Sequence, residues 1–369
     1  KVSVLGSGVM GSRIACHFAN IGAEVLLLDI VPKEPNEQEK AKGLTLENKA
    51  VRNRIVGDAF ISTLKSNPAP LYDKAFSNRI TLGNFDDNMK DIASFDWIIE
   101  VVVENLNIKK IVFEQVEKYR KPGTLITSNT SGIPIQLMSE GRSEDFQKHF
   151  CGTHFFNPPR YLKLFEIIPG PKTDPAIIDF LAHYADLILG KTPVLCKDTP
   201  GFIANRVGIY GIMETLYTTL EMGLTVEEVD KLTGPVIGRP KSATFRTGDV
   251  VGLDTLIKVS TNLHAGLPND EAKDIFKLPE ILVKMDEKKW YGDKTQQGFY
   301  KKTKGEGGKT EILSLNLKTL EYGPQAKAKF ATLEQTKTID NLKDRFKVLL
   351  AGQDKAGEFY RKTFFGLFK

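Results

Sequence analysis

Hydrophobic positions in the first half of the chain alternate between short apolar runs and longer segments with helical spacing. Residues 1–5 form a β-branched run, and apolar side chains follow at the spacing of one helix face over residues 14–19. The same order of an apolar run and a helical segment recurs further along the chain. Residues 96–103 form a nearly continuous apolar run, and residues 108–119 have helical spacing. Apolar runs of this length between helices indicate buried parallel strands. The pattern therefore predicts an α/β fold, with helices packed on a doubly wound, mainly parallel sheet.

The pattern becomes mostly helical after about residue 199. Pro200 and Gly201 interrupt the chain, and residues 203–222 then keep helical spacing without a proline. Thr225 is predicted to be the N-cap of the next helix. We therefore predict an all-α domain after the α/β domain, followed by a charged helical tail. The predicted parts are residues 1–198, 199–302 and 303–369, with a long helical insert in the first at about residues 32–78.

The composition is that of an ordinary globular protein, 41% hydrophobic and 26% charged. Its net charge of +5, from 51 basic and 46 acidic residues, is small and spread along the chain, so we expect no nucleic-acid partner. Cys16, Cys151 and Cys196 are isolated, which predicts neither a disulfide framework nor a metal site. Unpaired cysteines favour a reducing, cytoplasmic location.

Neither a membrane span nor a targeting segment is expected. The strongest apolar run, residues 97–103, is short and is broken by Glu100. No signal or transit peptide is predicted. Because the chain starts at Lys1, inside a strand-like run and without a methionine, we expect it to be trimmed.

A glycine-rich turn, Gly6-Ser7-Gly8-Val9-Met10-Gly11, joins the first predicted strand to the first helix. Its first glycine would allow a tight turn, Gly8 the approach of a pyrophosphate, and Gly11 the close packing of helix on strand. The second predicted strand ends in Asp29, at the distance where an acid binds the adenosine ribose hydroxyls. An acid there favours NAD over NADP, because it would repel a 2′-phosphate. A structural turn with a solvated acid is the alternative, but the joint spacing favours a Rossmann-type NAD site.

His154 follows a short β-type run and precedes Pro158 and Pro159, which places its imidazole at the end of a strand. Since an imidazole can take and return a proton near neutral pH, His154 is a candidate general base. For an isolated histidine, a core residue bonded to a backbone carbonyl is the usual explanation. Glu166 makes a functional role the better explanation for His154. It is the single charge in the apolar run 164–168, and a buried carboxylate needs a partner. We therefore predict a buried Glu166–His154 pair that fixes the imidazole tautomer.

Two further segments follow predicted strands at the edge of the sheet where ligands of such folds bind. Glu104 and Lys109 come after the strand at residues 96–103, and the hydroxyl-rich turn 128–132 comes after the next strand. Each also has an ordinary explanation: an acid favoured by the helix dipole, a solvated lysine, and simple turn chemistry. The residues alone leave both explanations open.

The order of these motifs resembles the L-3-hydroxyacyl-coenzyme A dehydrogenase family of β-oxidation. The motifs are GSGVMG, LLLD, VVVENLNIKK, SNTSG, THFFNPP, LFEIIPG, KDTPGFIANR, VGLDT and KTQQGFYKK, and the resemblance extends from residue 1 to about residue 302. It implies NAD-dependent oxidation of the hydroxyl group of an acyl-CoA thioester. It also implies a Rossmann-type domain followed by a helical domain that carries the contacts of a homodimer.

The resemblance assigns roles to single residues as well. His154 would be the catalytic base, and Glu166 its orienting partner. Ser131 and Asn205 would hydrogen-bond the hydroxyl or keto oxygen of the substrate. The residues that it places around the NAD are Gly6, Gly8, Val9, Met10, Gly11, Asp29, Glu104, Lys109, Ser131, Asn157 and Lys294.

Two segments depart from the family pattern. The insert at residues 32–78 is long for a Rossmann connection and lies where the family binds coenzyme A, so the family's contacts to the thioester are not transferred in register. The tail after about residue 302 resembles the lead-in to a repeated helical domain of multifunctional β-oxidation proteins, some of which carry an enoyl-CoA hydratase. A fused or separate hydratase or thiolase partner is therefore expected.

Two other functions stay open at this point. A dehydrogenase of the same two-domain build would act on a smaller hydroxy acid. A non-catalytic relative, such as a lens crystallin or a scaffold, would keep the fold and bind NAD without turnover.

Overall fold

The computed structural model describes residues 1–305 and 310–368. Positions 306–309 and 369, which belong to the predicted tail, lie outside the described residues. The contacts divide the chain into a first unit, Lys1–Ile203, and a second unit, Ala204–Lys369.

Eight strands form one sheet in the first unit. They are β1 (Val2–Leu5), β2 (Val25–Asp29), β3 (Ile80–Asn84), β4 (Trp97–Glu100), β5 (Leu125–Ser128), β6 (Phe150–Phe155), β7 (Leu164–Pro169) and β8 (Thr192–Leu195). Their order in the sheet is β3-β2-β1-β4-β5-β6-β7-β8. Six of the seven neighbouring pairs are parallel, and β6 with β7 is the antiparallel pair. The predicted doubly wound, mainly parallel sheet is thus confirmed.

Helices cover both faces of this sheet. They are α1 (Val9–Asn20), α2 (Glu37–Ala41), α3 (Lys49–Arg52), α4 (Arg54–Leu64), α5 (Phe85–Asn88), α6 (Leu106–Tyr119), α7 (Ile135–Ser139), α8 (Glu144–Lys148) and α9 (Pro175–Leu187). Because successive strand residues point to opposite faces, Val4 packs with Phe18 of α1, and Leu5 belongs to a separate cluster with Phe113 of α6. Burying each of these side chains contributes about 1.5–3 kcal/mol.

Helix α1 packs closely against the glycine turn at Gly11. A Cβ on Gly11 would lie 1.8 Å from the carbonyl oxygen of Gly6, whereas one on Gly57, within α4, would meet no atom within 4 Å. We expect Gly11→Ala to lower the free energy of unfolding by about 1–3 kcal/mol or more through overpacking, and Gly57→Ala to raise it by about 0.5–1 kcal/mol. Urea midpoints measure both changes. Equal midpoints for the two variants would show that α1 can shift away from β1 at no cost.

The second unit is built mainly of helices. They are α10 (Ala204–Met222), α11 (Val226–Thr233), α12 (Phe245–Val251), α13 (Leu253–Gly266), α14 (Glu280–Glu287), α15 (Ala331–Gln335), α16 (Leu342–Ala351) and α17 (Lys355–Phe368). The predicted N-cap Thr225 is confirmed, since its hydroxyl accepts from the backbone N–H of Glu228, whose carboxylate bonds back to the N–H of Thr225. Among the described residues, no helix has both the length and the apolar character to cross a membrane.

A small antiparallel sheet precedes the last three helices of the second unit. Its strands are β9 (Tyr300–Lys304), β10 (Thr310–Leu315) and β11 (Tyr322–Pro324), in the order β11-β10-β9. The sequence pattern did not predict these strands, because the lysines and glycines of the segment were interpreted as a linker before a helical tail. The β-branched Thr310 and Ile312 and the buried Leu315 favour an extended segment here.

Candidate active site

His154 and Glu166 face each other across strands β6 and β7. The antiparallel register pairs the two residues directly, and both are buried. Nδ1 of the imidazole lies 2.7 Å from Oε2 of Glu166. Because a carboxylate can only accept, Nδ1 donates its hydrogen to it, and Nε2 is the nitrogen that keeps a lone pair. The geometry thus confirms the predicted pair and selects Nε2 as the atom that can take a proton.

Glu166 is held by more than the imidazole. Its second oxygen, Oε1, accepts a hydrogen bond of 3.0 Å from the backbone N–H of Ile203. The rings of Phe156 and Phe202 pack on the imidazole of His154, with centroids 4.5 and 5.7 Å away. A buried carboxylate is stable only when its oxygens are bonded, and the packed rings limit rotation of the imidazole. The pair is therefore held by contacts on several sides and buried.

Ser131 lies in the turn that follows β5 and reaches the same imidazole. Its Oγ is 3.1 Å from Nε2 of His154. The neighbouring Asn129 supports the geometry, because its Oδ1 accepts from the backbone N–H of Phe155 at 2.9 Å and ties the end of β6 to this turn. The structure thus brings a hydroxyl and a base together at one point.

Lys109 and Glu100 form a second buried pair near this turn. The ammonium of Lys109 lies 2.8 and 3.0 Å from the two carboxylate oxygens of Glu100, and Lys109 is 1% exposed. Burial raises the pKa of the Glu100 carboxyl, opposed by the charge of Lys109 and by hydrogen bonds from Ser128 and Val102. The explanation of Lys109 as a solvated lysine is therefore wrong.

Glu104 connects this pair to the turn of Ser131. Its Oε2 is 3.4 Å from the ammonium of Lys109. Its Oε1 accepts from the hydroxyl of Thr130 at 2.6 Å and from the backbone N–H groups of Ser131 and Gly132 at 3.1 and 3.2 Å. Glu104 precedes Asn105, the N-cap of α6, so the explanation of Glu104 as a first-turn acid is wrong as well.

Sequence analysis did not single out Glu100, Ser128 or Thr130, which complete this network. The signal for Glu100 was present, because it is the single charge in the apolar run 97–103, the same feature that identified Glu166. A buried carboxylate requires a partner, and for Glu100 that partner is the ammonium of Lys109. The hydroxyls of Ser128 and Thr130 carry no comparable signal, since such residues are common in turns.

The glycine turn has room for a dinucleotide. Gly6 has a φ of +108°, and its Cβ would clash with the carbonyl oxygen of Val101. By contrast, a Cβ on Gly8 would meet no atom within 4 Å, so the backbone is open there, at the N-terminus of α1, where no side chain caps the helix. This opening and the free N–H groups of the first turn suit a pyrophosphate.

Asp29 lies at the end of β2, beside the glycine turn. Its Oδ2 accepts from the backbone N–H and the hydroxyl of Ser7 at 2.6 and 2.5 Å, and its Oδ1 accepts from the N–H of Ile30 at 2.7 Å. Oδ2 uses both of its lone pairs on Ser7, whereas Oδ1 accepts one bond and keeps a lone pair for a ligand hydroxyl. The carboxylate is thus fixed in orientation and still able to accept from a ribose. The residues present therefore fit an NAD.

The remaining predicted residues have partners of their own. Asn157 follows β6 and accepts a hydrogen bond of 2.5 Å from Arg13 of α1. Asn205 lies half-buried in the first turn of α10, and the ammonium of Lys294 bonds Asp254 at 2.8 and 3.0 Å, both in the second unit. Their contacts with substrate and cofactor stay predictions.

Two family models match almost the whole of residues 1–302. The first is described as 3-hydroxyacyl-CoA dehydrogenase, NAD binding domain, and matches residues 1–199. The second is described as 3-hydroxyacyl-CoA dehydrogenase, C-terminal domain, and matches residues 201–302. The two matches meet at the position where the hydrophobic pattern becomes helical.

Curated proteins and solved structures are similar to this chain over most of its length. A probable 3-hydroxyacyl-CoA dehydrogenase of Bacillus subtilis is 51% identical over 97% of the chain, but the chain spans only 44% of that protein. A probable 3-hydroxyacyl-CoA dehydrogenase of Deinococcus radiodurans is 45% identical, over 83% of the chain and 84% of the relative. The crystal structure of (S)-3-hydroxybutyryl-CoA dehydrogenase from Ralstonia eutropha matches with a TM-score of 0.63 at 25% identity, covering 80% of this chain and 96% of that one.

Proposed function

The chain belongs to the 3-hydroxyacyl-CoA dehydrogenase family, and from that premise we propose that it oxidises L-3-hydroxyacyl-CoA to 3-ketoacyl-CoA with NAD, as a step of fatty-acid β-oxidation. The observation that carries the proposal is the buried His154–Glu166 pair. The nitrogen of its imidazole that carries no proton, Nε2, lies 3.1 Å from the hydroxyl oxygen of Ser131. A non-catalytic relative would have no need of a base held in one tautomer, so the pair favours an enzyme.

His154 acts as the general base in this proposal. Its Nε2 takes the proton of the C3 hydroxyl, and the oxygen becomes a carbonyl as the C3–H bond breaks. NAD, when bound, accepts the hydride that leaves C3. Glu166 stabilises the imidazolium that forms, because its carboxylate already accepts from Nδ1. In the reverse direction the imidazolium returns the proton to the keto oxygen.

Ser131 and Asn205 are the proposed hydrogen-bond donors to the reacting oxygen. Charge grows on that oxygen as the proton leaves, and donors aimed at it lower the barrier by about 3–4 kcal/mol each. The position of Ser131 supports its role, since its Oγ is already within 3.1 Å of the base. The role of Asn205 rests on the family resemblance.

The cofactor-binding set is proposed from the same family. The glycine turn and Asp29 carry the strongest support, because the backbone is open at Gly8 and the carboxylate is fixed at the end of β2. The full proposed set is Gly6, Gly8, Val9, Met10, Gly11, Asp29, Glu104, Lys109, Ser131, Asn157 and Lys294. An acid at residue 29 favours NAD over NADP.

The test is a turnover assay with acetoacetyl-CoA and NADH at neutral pH, in which the loss of NADH absorbance measures the rate. We expect turnover of about 1–10³ per second, much slower turnover with NADPH, and little with free acetoacetate. Turnover of free acetoacetate as fast as that of the thioester would instead support the dehydrogenase of a smaller hydroxy acid. NADH binding without turnover of either would support the non-catalytic relative.

The oligomeric state, the partner proteins and the cellular location are proposals as well. We propose a homodimer formed through the second unit, as the family resemblance implies. A fused or separate hydratase or thiolase partner is supported by a putative fatty acid oxidation complex trifunctional enzyme of Rickettsia felis, which is 35% identical over 93% of the chain. A reducing, cytoplasmic setting is supported by three free cysteines, all buried.

A further inference from the structure

Helix α1 contains one arginine, no lysine and no acid, so Arg13 carries its only fixed charge. Nη1 of Arg13 donates a hydrogen bond of 2.5 Å to Oδ1 of Asn157, which follows β6. The amide of Asn157 is neutral, and within the part of the chain that the structure describes no carboxylate pairs with Arg13. A guanidinium has several N–H donors, of which this bond uses one. Arg13 therefore has a positive charge that no acid balances and donors that this bond does not use.

The half-buried side chain of Arg13 lies on the face of α1 that is open at the glycine turn. Val9 is one turn earlier on that face and is 63% exposed, and a Cβ on Gly8 would meet no atom within 4 Å. Side chains of an α-helix tilt toward its N-terminus, so that of Arg13 is directed over the first turn. The N–H groups of this turn have no side-chain cap. The guanidinium and these N–H groups therefore face the same opening.

A cation near the start of a helix is unfavourable unless an anion is present. The aligned peptide dipoles leave partial positive charge at the N-terminus, where acidic side chains are favoured. Helix α1 has no acid in its first turn, and Arg13 follows in the second. The helix end and the guanidinium thus have the same sign of charge, and both would attract an anion bound beside them. A pyrophosphate is such an anion, and arginine binds phosphate oxygens through two parallel N–H bonds.

We propose that Arg13 is a further cofactor-binding residue, whose guanidinium pairs with the pyrophosphate of NAD while Asn157 holds the guanidinium in place. This inference rests on the proposed function and adds a residue to the proposed cofactor-binding set. The bond to Arg13 occupies the oxygen of the Asn157 amide, because a guanidinium can only donate. The NH2 group of Asn157 is then the end that can donate to the cofactor, so the contact predicted for Asn157 is kept.

The test is Arg13→Met, measured as binding rather than as turnover. We expect the dissociation constant for NADH, from fluorescence titration, to rise by about 10–100-fold, the effect of losing one charge-assisted contact. ADP-ribose keeps the pyrophosphate and lacks the nicotinamide, so its dissociation constant, from calorimetry, should rise by the same factor. Adenosine has no phosphate, and its dissociation constant should stay within about threefold of the wild-type value.

The matched control is Lys90→Met. Lys90 is exposed on the short 3₁₀ helix before β4, so this substitution also removes one positive charge but no phosphate contact. All three dissociation constants should stay within about threefold of wild type. Arg13→Lys keeps the charge without the planar fork and should leave a loss of only about threefold. The melting temperature of Arg13→Met should stay close to wild type, because the removed cation lies near the positive end of a helix.

The double variant Arg13→Met/Asn157→Ala tests whether Asn157 holds the guanidinium. If it does, Arg13→Met costs less NADH affinity in the Asn157→Ala background than in the wild-type chain, because residues in contact are not additive. Equal costs in the two backgrounds would refute the anchoring.

Two results would overturn the contact with the pyrophosphate. One is an NADH dissociation constant in Arg13→Met within about threefold of wild type. The other is an equal loss of affinity for adenosine and for ADP-ribose, which would show that the substitution disturbs the whole site. A wild-type chain that binds NADH without reducing acetoacetyl-CoA would refute the proposed function alone. A wild-type chain that binds neither NADH nor ADP-ribose would refute both.

Discussion

His154→Gln is expected to lower kcat with acetoacetyl-CoA by about 10²–10⁴-fold, the usual contribution of a general acid–base group. The imidazole is the group whose Nε2 lies beside the Ser131 hydroxyl, and glutamine offers an amide that cannot take a proton there. NADH binding should change little, since the proposed cofactor turn at residues 6–11 joins β1 to α1 and does not include His154. Stopped-flow single turnovers and NADH fluorescence titration measure the two quantities separately.

The control for this variant is His183→Gln. His183 lies exposed on α9, where its Nδ1 bonds the carbonyl of Asp179. We expect the His183→Gln variant to keep the wild-type kcat. Wild-type kcat in His154→Gln would mean that another group takes the C3 proton, and the proposed mechanism would be refuted.

Glu166→Gln should lower kcat by about 10²–10³-fold, the size of one lost electrostatic partner in an active site. The substitution keeps the shape of the side chain and removes the charge that stabilises the imidazolium. It also lets an amide N–H face Nδ1 of His154, which would favour the tautomer with the proton on Nε2, the wrong one for a base. The bond from the N–H of Ile203 to the other oxygen can persist with the amide carbonyl.

The double variant His154→Gln/Glu166→Gln tests whether the carboxylate acts through the histidine. If it does, the double variant loses no more of kcat than His154→Gln alone, because groups that act as a unit are not additive. Losses that multiply would show that Glu166 has an independent role in turnover. Melting temperatures of all three variants are needed, since Glu166 is fully buried.

Much of the first unit could be predicted from its sequence because its signals are local. Strand residues such as Val4 and Leu5 are apolar on both faces, which only a sheet covered on both sides requires. The glycine turn and Asp29 have a spacing that follows from the length of one helix and one strand. Glu166 was found because a lone charge in an apolar run must have a partner.

Other features depend on distant pairings that a single sequence does not contain. Nothing in the run at residues 164–168 shows that β7 runs antiparallel to β6, although this direction pairs Glu166 with His154. The cluster of Glu100, Lys109 and Glu104 forms where a strand end, a helix and a turn meet, so its burial follows from tertiary packing. Likewise, β10 is a strand because β9 and β11 pair with it on both sides.

The antiparallel pairing of β6 and β7 also bears on the order in which the site assembles during folding. His154 and Glu166 are 12 residues apart along the chain, so closing the loop between them costs little entropy. Ser131 is 23 residues from His154 and arrives on a strand parallel to β6, which requires a crossover and forms more slowly. The base and its carboxylate therefore come together early, as a local hairpin, and the hydroxyl side of the site is completed later.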